Sequence, residues 1–213
     1  MTKNISDIRT DYLKSVLNKS DLDPNPISQF KSWFSKVINA NVYEPNAMVL
    51  STVNAIGEPN GRVVLLKKIT NDGFVFFTNY LSTKGKELQE NPRASLTFFW
   101  PELEQQVRVS GIVEKISVEE SNDYFNSRPR ESQIAAIASK QSDKLLSRVE
   151  LSNSFIRLEK EFEGKTLKTP NHWGGYLVKP KKMEFWQGRA SRMHDRLCYL
   201  YNDNQWIINR LSP

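Results

Sequence analysis

Hydrophobic positions change their spacing along the chain, and each change predicts a different element. Over 26–38 the apolar side chains recur at helical spacing, with Asn25 as cap and Pro26 at the first helical position. Beyond this helix, β-branched and aromatic residues dominate the runs 48–53, 62–69 and 74–78. Turn-forming residues separate these runs, so we predict an antiparallel meander after the first helix.

Helices and strands alternate through the rest of the chain. Short helices are predicted at 82–90, 117–126 and 131–138. A sequence of the capping-box type, with Ser117 and Glu120, begins the second of these helices. A longer helix, which Gly164 ends, presents an apolar face of Leu151, Phe155, Leu158 and Phe162. Further strands are predicted at 94–99, 106–116, 174–178, 183–187, 196–201 and 206–210.

This order of elements predicts an α+β fold with a mainly antiparallel sheet. We expect about seven or eight strands, with the helices packed around them. So many strands favour closure into a barrel, because open edges need cover. No internal repeat or low-complexity linker divides the sequence. We therefore expect a polar, flexible N-terminal arm over 1–20 and a single domain over 21–213.

Composition favours a cytoplasmic protein. Of the residues, 38% are hydrophobic and 25% are charged, and no apolar run reaches the roughly 18 residues that a membrane span needs. The first residues carry no apolar stretch of the secretory type. Cys198 is the only cysteine, which excludes an internal disulfide and a multi-cysteine metal site. With only His172 and His194 as histidines, we expect no metal cofactor. We expect no membrane association, because no apolar run is long enough to span a membrane.

The net charge of +6 and the pI near 9.3 point to an anionic partner. The 30 Lys and Arg residues are spread among 24 acidic residues, so no basic arm for nucleic acid is formed. Small phosphorylated ligands fit this pattern better than nucleic acid does. The sequence contains none of the familiar phosphate-loop, dinucleotide, serine-hydrolase or zinc-protease motifs. The chemistry must therefore be sought in groups that bind anions.

A first such group brackets the apolar strand predicted at 62–69. Ideal alternation places Arg62 and Lys68 on one face and Lys67 on the other. Arg62 and Lys67 are then expected to serve different phosphates. The alternative is a buried strand whose charged ends reach out to solvent.

A second group consists of Tyr124, Arg128 and Ser132, which are spaced four residues apart. Pro129 disfavours a helical conformation at Arg128 and ends the first helix there. A phenol, a guanidinium and a hydroxyl then meet at a junction between two helices, which suits a phosphate. The alternative is a polar loop with a helix cap.

A third group follows the aromatic run near the C-terminus. In a strand, Arg192, His194 and Arg196 share one face, while Met193 and Asp195 point the other way. Such a face can bind anions and donate hydrogen bonds. As an isolated pattern it is explained better by a solvated charged strand.

Taken together, these stretches resemble the pyridoxine/pyridoxamine 5′-phosphate oxidase family. The likeness covers residues 8–213 in one order, and the segments that carry it are 62–67, 76–79, 127–134, 139–142, 185–188 and 192–196. The resemblance implies an FMN-binding split β-barrel, and a homodimer with two FMN molecules at its interface. It also implies oxidation of pyridoxine or pyridoxamine 5′-phosphate at C4′ by O2, giving pyridoxal 5′-phosphate and H2O2.

The resemblance also assigns roles to residues. The implied FMN-binding positions are Arg62, Val63, Val64, Leu65, Leu66, Lys67, Phe77, Thr78, Thr83, Lys84, Gln106, Gln141, Ser142, Trp186 and Arg196. The implied substrate-binding positions are Arg9, Thr10, Asp11, Tyr12, Lys67, Tyr124, Arg128, Ser132, Arg192, Met193 and His194. Of these, Arg192 and His194 correspond to the catalytic residues over the reacting face. Thr83 departs from the family, which commonly has Arg there, so we predict weaker retention of FMN.

Three other functions stay open on the sequence alone. A split-barrel flavoprotein could act on a different heterocycle. A carrier or sensor could bind FMN or pyridoxal phosphate without turnover. The third function is the binding of nucleic acid by a basic protein. The colour of the purified protein and its turnover in air would distinguish each of these functions from that of the oxidase.

Overall fold

The computed structural model describes residues 4–8 and 10–213. Its five α-helices are α1 Pro26–Asn39, α2 Thr83–Glu90, α3 Val118–Ser127, α4 Arg130–Ala138 and α5 Arg148–Glu161. At the start of four of these helices, a side-chain oxygen of the capping residue accepts a hydrogen bond from a backbone N–H group. The four capping residues are Asn25, Ser82, Ser117 and Ser147. The helices predicted from the sequence are confirmed. Among the described residues, no helix is both long and apolar enough to cross a membrane.

The strands are β1 Ala47–Val53, β2 Pro59–Leu65, β3 Lys68–Ile69, β4 Phe74–Asn79, β5 Arg93–Trp100, β6 Gln105–Lys115, β7 Trp173–Gln187, β8 Asp195–Asn202 and β9 Gln205–Leu211. They form a nine-stranded sheet in the order β2-β1-β5-β6-β7-β4-β3, and β8 pairs with both β7 and β9. The pairs β3–β4, β4–β7, β7–β8 and β8–β9 are antiparallel. The predicted α+β class with a mainly antiparallel sheet is confirmed.

Two strand predictions need correction because the chain changes its pairing partner. The strand expected over 62–69 is interrupted at Leu66 and Lys67, where the Lys67 N–H donates to the Val75 carbonyl at 2.9 Å. Conversely, the strands expected at 174–178 and 183–187 are one strand, β7. Pro180 lies between the β7 residues that pair with β4 and those that pair with β8, where its missing N–H breaks neither register.

The chain divides into two compact units, and one of them comprises the described part of Met1–Val49 together with Ser95–Gly111 and Pro180–Pro213. Its core is aromatic. Phe30 packs on Phe98 with ring centroids 4.9 Å apart, and Trp33 meets Phe185 edge-on at 5.2 Å. The indole N–H of Trp100 donates to the Pro45 carbonyl at 2.9 Å, so this buried ring keeps its hydrogen bond.

The other unit comprises Leu50–Ala94 and Ile112–Lys179. Its helical side has a core cluster of Phe125, Ile134, Leu167 and Trp173. Phe155, Leu158 and Phe162 pack against this cluster, which confirms the apolar face predicted from their spacing. Gly164 follows with a φ of 69°, a left-handed conformation that glycine adopts without strain.

Candidate functional site

A polar cavity of about 550 Å³, the first cavity, lies in the unit of Leu50–Ala94 and Ile112–Lys179. It is lined by Arg62, Val63, Val64, Leu65, Lys67, Phe77, Thr78, Asn79, Lys84, Tyr124, Arg128, Ala135, Ala136, Ser139, Gln141 and Trp173. Five of these positions come from the cationic strand and two, Tyr124 and Arg128, from the helix junction, and the two groups are distant in sequence. The fold therefore brings the two predicted anion-binding groups to one place.

The predicted placement of Arg62 and Lys67 on opposite faces of one strand is wrong, because the strand is interrupted between them. Both residues line the first cavity. That they serve different phosphates stays a prediction. Ideal alternation requires an unbroken strand, but β2 ends at Leu65 and Lys67 lies beyond it. Outside a regular strand, alternation no longer decides which way a side chain points. Three cations, Arg62, Lys67 and Lys84, can therefore act in the same cavity.

Lys84 is a buried cation at the start of α2, with 9% of its surface exposed. Its ammonium donates to the Gln141 side-chain oxygen at 3.0 Å and to the Ser82 hydroxyl at 3.3 Å. Burial lowers the pKa of Lys84, and the nearby Arg62 charge lowers it further. A buried ammonium held by neutral partners favours an anion beside it.

Arg62 is held in a fixed orientation by groups of its own unit. Its Nη1 donates to the Leu50 carbonyl at 3.2 Å and to the Thr52 hydroxyl, and its Nη2 pairs with Glu87 at 3.3 Å. A guanidinium has five N–H donors. The described contacts use three of them, so two donors remain for a ligand in the first cavity.

Arg128 presents the clearest unsatisfied group of the first cavity. Its Nη1 is buried without a hydrogen-bond partner among the described residues, and its guanidinium lies 4.9 Å from the Trp173 ring centroid. Burial lowers the pKa of Arg128 below its ordinary value. A buried charged donor is costly to leave unpaired, so this geometry calls for an anionic acceptor.

The helix junction places Arg128 as the sequence predicted. Arg128 ends α3 in an extended conformation, with φ −75° and ψ 151°, because Pro129 follows it. Next to it, the Tyr124 ring stacks on Phe77 with centroids 3.9 Å apart, and Trp173 lies nearly parallel to both rings. Ser132, the third predicted member, is half-buried in α4 and does not belong to the cavity lining.

A second cavity, of about 670 Å³, lies in the unit that contains the C-terminus. It is lined by Ile8, Thr10, Asp11, Tyr12, Arg189, Ser191, Arg192 and His194. The Tyr12 ring meets Trp186 edge-on at 5.6 Å and His194 at 5.7 Å. The N-terminal arm and the C-terminal group that the sequence singled out therefore line one cavity.

The predicted strand face of Arg192, His194 and Arg196 is wrong. Ala190–Arg192 forms a short turn in which Ser191 and Arg192 have φ values of 54° and 61°, and β8 begins only at Asp195. The Arg189 backbone N–H donates to His194 Nδ1 at 3.1 Å and closes this turn. That bond leaves Nε2 as the donor of the imidazole. Strained backbone of this kind gathers at functional sites.

Arg196 is neutralised within its own unit. Its guanidinium makes two hydrogen bonds to Glu184, at 2.8 Å and 3.2 Å, and a third to the Ser212 carbonyl at 2.8 Å. Arg108 also pairs with Glu184, which is only 2% exposed. Although burial raises the pKa of Glu184, hydrogen bonds from the two arginines outweigh it and lower that pKa overall.

Replacing Glu184 by Gln is expected to lower the free energy of unfolding by about 2 kcal/mol, because two arginines lose their buried counter-ion. A carboxylate with a lowered pKa stabilises the fold above its ordinary pKa and ceases to do so as the pH falls through the lowered one. E184Q should therefore lose less stability on acidification than the natural chain. Urea titrations at neutral pH and near pH 3 measure both effects. The exposed Glu102→Gln is the matched control, and equal losses in both variants would contradict the assignment.

Some predicted positions line neither cavity: Leu66, Thr83, Gln106, Ser132, Ser142, Trp186, Met193 and Arg196. Arg9 lies outside the described residues. Thr83 is exposed, and its backbone N–H donates to the Ser142 hydroxyl at 3.2 Å. Trp186 packs on His194, a lining residue of the second cavity, with ring centroids 4.8 Å apart.

Sequence reasoning also missed some lining residues. Asn79 directly follows the run predicted as a strand at 74–78, within one of the segments that carried the family resemblance, so that segment could have indicated it. Trp173 carries no local signal of function, because its stacking under Arg128 needs tertiary structure. Arg189 gave no signal in the sequence, because its role comes from a backbone N–H.

Comparison with known proteins agrees with this geometry. Residues 34–159 match the family model described as pyridoxamine 5′-phosphate oxidase. Residues 173–213 match the pyridoxine 5′-phosphate oxidase C-terminal dimerisation region. A protein of Acaryochloris marina named pyridoxine/pyridoxamine 5′-phosphate oxidase is 50% identical over 210 residues, covering 99% of this chain and 96% of its own length.

Solved structures agree as well. PhzG from Burkholderia lata 383, in complex with tetrahydrophenazine-1-carboxylic acid, is 32% identical with a TM-score of 0.88, covering 93% of this chain and 98% of its own. A pyridoxamine 5′-phosphate oxidase-related FMN-binding protein from Nostoc punctiforme, 17% identical, shares the fold with a TM-score of 0.70, covering 86% and 97%. The chain therefore shares its fold with both structures, as expected for the predicted split barrel. Within this fold class, the chain belongs to the pyridoxamine 5′-phosphate oxidase family, as the sequence resemblance predicted.

Proposed function

We propose that the chain is an FMN-dependent oxidase of pyridoxamine 5′-phosphate and pyridoxine 5′-phosphate. With the amine, O2 and water are consumed, and pyridoxal 5′-phosphate, NH3 and H2O2 are formed. With the alcohol, O2 is consumed, and pyridoxal 5′-phosphate and H2O2 are formed. The single observation that carries the proposal is the buried, unpaired Nη1 of Arg128 in a cavity with stacked aromatic rings, which suits a phosphorylated ring compound.

The residues of the first cavity fit FMN. Arg62 keeps two free donors and Lys84 is a buried cation, so both can hold the flavin phosphate. The other cofactor positions on this lining are Val63, Val64, Leu65, Lys67, Phe77, Thr78 and Gln141. Bound here, FMN would supply the redox chemistry, which is hydride acceptance from the substrate and electron transfer to O2. The protein contributes binding and orientation.

The substrate phosphate is assigned to Lys67, Tyr124 and Arg128, with Ser132 beside them in α4. Arg128 offers the unpaired charged donor, and the Tyr124 hydroxyl and Lys67 ammonium come from the same lining. A cavity of about 550 Å³ lies in the size range usual for small-molecule sites. Phosphate recognition by fixed cations orients the ring of the substrate for hydride transfer.

We propose a homodimer with FMN at the subunit interface. The match of residues 173–213 to a dimerisation region supports the dimer. An interface site also accounts for the predicted flavin positions Gln106, Trp186 and Arg196, which do not belong to the lining of the first cavity. Leu66, Thr83 and Ser142 stay assigned to FMN by the resemblance. The single domain over 21–213 and the cytoplasmic location also stay predictions.

By the resemblance, Arg192 and His194 keep their assignment to the reacting face of the substrate. Arg192 and His194 provide a guanidinium and an imidazole Nε2 donor, and the Tyr12 ring of the arm lies edge-on to the His194 ring. Thr10 and Asp11 share with them the lining of the second cavity, and Arg9 and Met193 keep their assignment from the resemblance alone. These groups hold and orient the C4′ substituent and exclude water.

Replacing His194 by Asn is expected to reduce turnover only about two- to fivefold, because hydride transfer needs orientation more than a strong base. The amide can still donate a hydrogen bond from a similar position. Steady-state rates with FMN-saturated protein measure the effect. Complete loss of turnover, with FMN binding intact, would instead make His194 an essential base.

The redox role is tested without O2. Mixing the FMN-loaded chain with pyridoxamine 5′-phosphate under anaerobic conditions should bleach the yellow flavin, and admitting air should restore the colour. Non-phosphorylated pyridoxamine is the matched control, and it should bleach the flavin much more slowly at equal concentration. A flavin that stays oxidised with the phosphorylated amine would overturn the proposed function and leave a carrier role.

Oxidation of a different heterocycle is the second candidate, since the 32% identical PhzG structure holds a tetrahydrophenazine carboxylic acid. The buried Arg128 Nη1 would bind a carboxylate as well as a phosphate. Competition distinguishes the two functions. Pyridoxamine 5′-phosphate should displace a tricyclic carboxylic acid at far lower concentration than the reverse, and the opposite order would favour the second candidate.

A further inference from the structure

Glu87 forms an ion pair with Arg62, one of the cations of the first cavity, although Glu87 itself does not line that cavity. It lies on α2, one helical turn after Lys84, and only 4% of its surface is exposed. Its Oε1 accepts from the Asn60 side-chain amide at 2.6 Å. Its Oε2 accepts from the Thr52 hydroxyl and from Arg62 Nη2. A buried carboxylate with three side-chain donors is a fixed point of the structure.

These hydrogen bonds fix the orientation of the Arg62 guanidinium. Glu87 and Thr52 together hold both terminal nitrogens of the guanidinium, because Thr52 donates to Glu87 and accepts from Arg62. Without these bonds the Arg62 side chain would populate several rotamers, and a ligand that fixed it would lose binding free energy to the entropy cost. With the side chain held in advance, a ligand meets two oriented donors.

The same carboxylate acts on Lys84. The charge of Arg62 disfavours the protonated form of Lys84, and that of Glu87 favours it. Removing Glu87 would leave the two cations facing each other without a counter-charge behind them. The other charged or titratable side chains on the cavity lining are Lys67, Arg128 and Tyr124, and the first two add positive charge.

We infer that Glu87 is a positioning residue for the FMN phosphate, which holds Arg62 in its orientation without touching the ligand itself. The inference rests on the proposed function, because it assumes that Arg62 and Lys84 hold that phosphate. Glu87 thus acts through the cations rather than on the reaction. Its removal should weaken FMN binding and leave the turnover of FMN-saturated protein nearly unchanged.

Glu87→Gln tests the inference, because it removes the charge and keeps the size of the side chain. We expect the Kd for FMN, measured by quenching of flavin fluorescence, to rise about tenfold, as for the loss of one charge-assisted contact. Riboflavin lacks the phosphate, so its Kd should stay within about twofold of the natural value. The exposed Glu90→Gln on the same helix is the matched control and should change neither Kd.

The pH dependence separates positioning from a general structural effect. FMN binding that needs charged Lys84 is present below the pKa of that ammonium and is lost as the pH rises through it. Because Glu87 raises the pKa of Lys84, its loss should move the decline in FMN affinity to lower pH in E87Q. E90Q and the natural chain should decline together at higher pH.

Asn60→Ala keeps the test decisive if E87Q fails to fold, because Asn60 is exposed and contacts Glu87 rather than Arg62. It should raise the Kd for FMN about two- to threefold and leave riboflavin unaffected. Equal weakening of FMN and riboflavin, or an unchanged FMN Kd in both variants, would overturn the inference. Failure of the natural chain to bind FMN would overturn the proposed function itself, which the first titration shows separately.

Discussion

Replacing Arg128 by Met should raise the KM for pyridoxamine 5′-phosphate about 100-fold, with a small change in kcat, because a buried charged donor to the substrate phosphate is lost. Met keeps an apolar stem against Trp173, where the guanidinium lies 4.9 Å from the ring centroid. The effect is expected to be large because Arg128 Nη1 is buried and has no hydrogen-bond acceptor among the described residues, so the substrate phosphate would be its acceptor. Steady-state kinetics with saturating FMN measure it.

The control for this variant is the exposed Arg157→Met, which removes the same charge from the same unit. R157M should leave KM unchanged, and in R128M the preference for phosphorylated over non-phosphorylated substrate should fall by about the factor by which KM rises. An unchanged KM in R128M would remove Arg128 from the substrate site. A proportional loss of FMN affinity would place it on the cofactor instead.

Replacing Lys84 by Met should weaken FMN binding about 100-fold, because the ammonium is buried beside the position proposed for the flavin phosphate. Thr83 makes the effect larger, since this chain has no second cation there to compensate. T83R should accordingly tighten FMN binding of the natural chain about tenfold or more and should restore part of the affinity of K84M. Equilibrium dialysis of FMN measures all of these variants.

Lys86→Met, on the exposed side of the same helix, is the matched control and should bind FMN normally. If K84M retained FMN as well as K86M, Lys84 would be a structural cation that serves only Ser82 and Gln141. If T83R failed to tighten binding, the departure at Thr83 would have no bearing on cofactor retention.

Local signals predicted the helices well because their determinants are local. Asn25, Ser82 and Ser117 each accept a backbone N–H at a predicted helix start. Pro129 moved Arg128 out of the helix through sterics of neighbouring residues alone. Such features depend on a few consecutive residues, and a sequence displays them directly.

The strand errors arose where pairing between distant segments decides the outcome. The break at Leu66 and Lys67 follows from a change of partner to β4, and periodicity carries no information about partners. For the same reason, the continuity of β7 through Pro180 could not be seen, since proline usually interrupts a strand.

The sequence predicted which residues belong to the candidate site better than it predicted how they are arranged. Arg62, Lys84 and Arg128 were singled out from charge, spacing and resemblance, and they line one cavity. Glu87 carried no signal, because a glutamate in a short helix is ordinarily a solvated side chain. Its burial and its hold on Arg62 exist only after α2 packs against the strands that carry Thr52 and Asn60.

Aerobic turnover tests the central claim most directly. The FMN-loaded chain, incubated in air with pyridoxamine 5′-phosphate, should produce pyridoxal 5′-phosphate, NH3 and H2O2 in equal amounts, while R128M at the same substrate concentration should produce far less. Substrate that remains unchanged in the presence of fully FMN-loaded natural chain would contradict the claim.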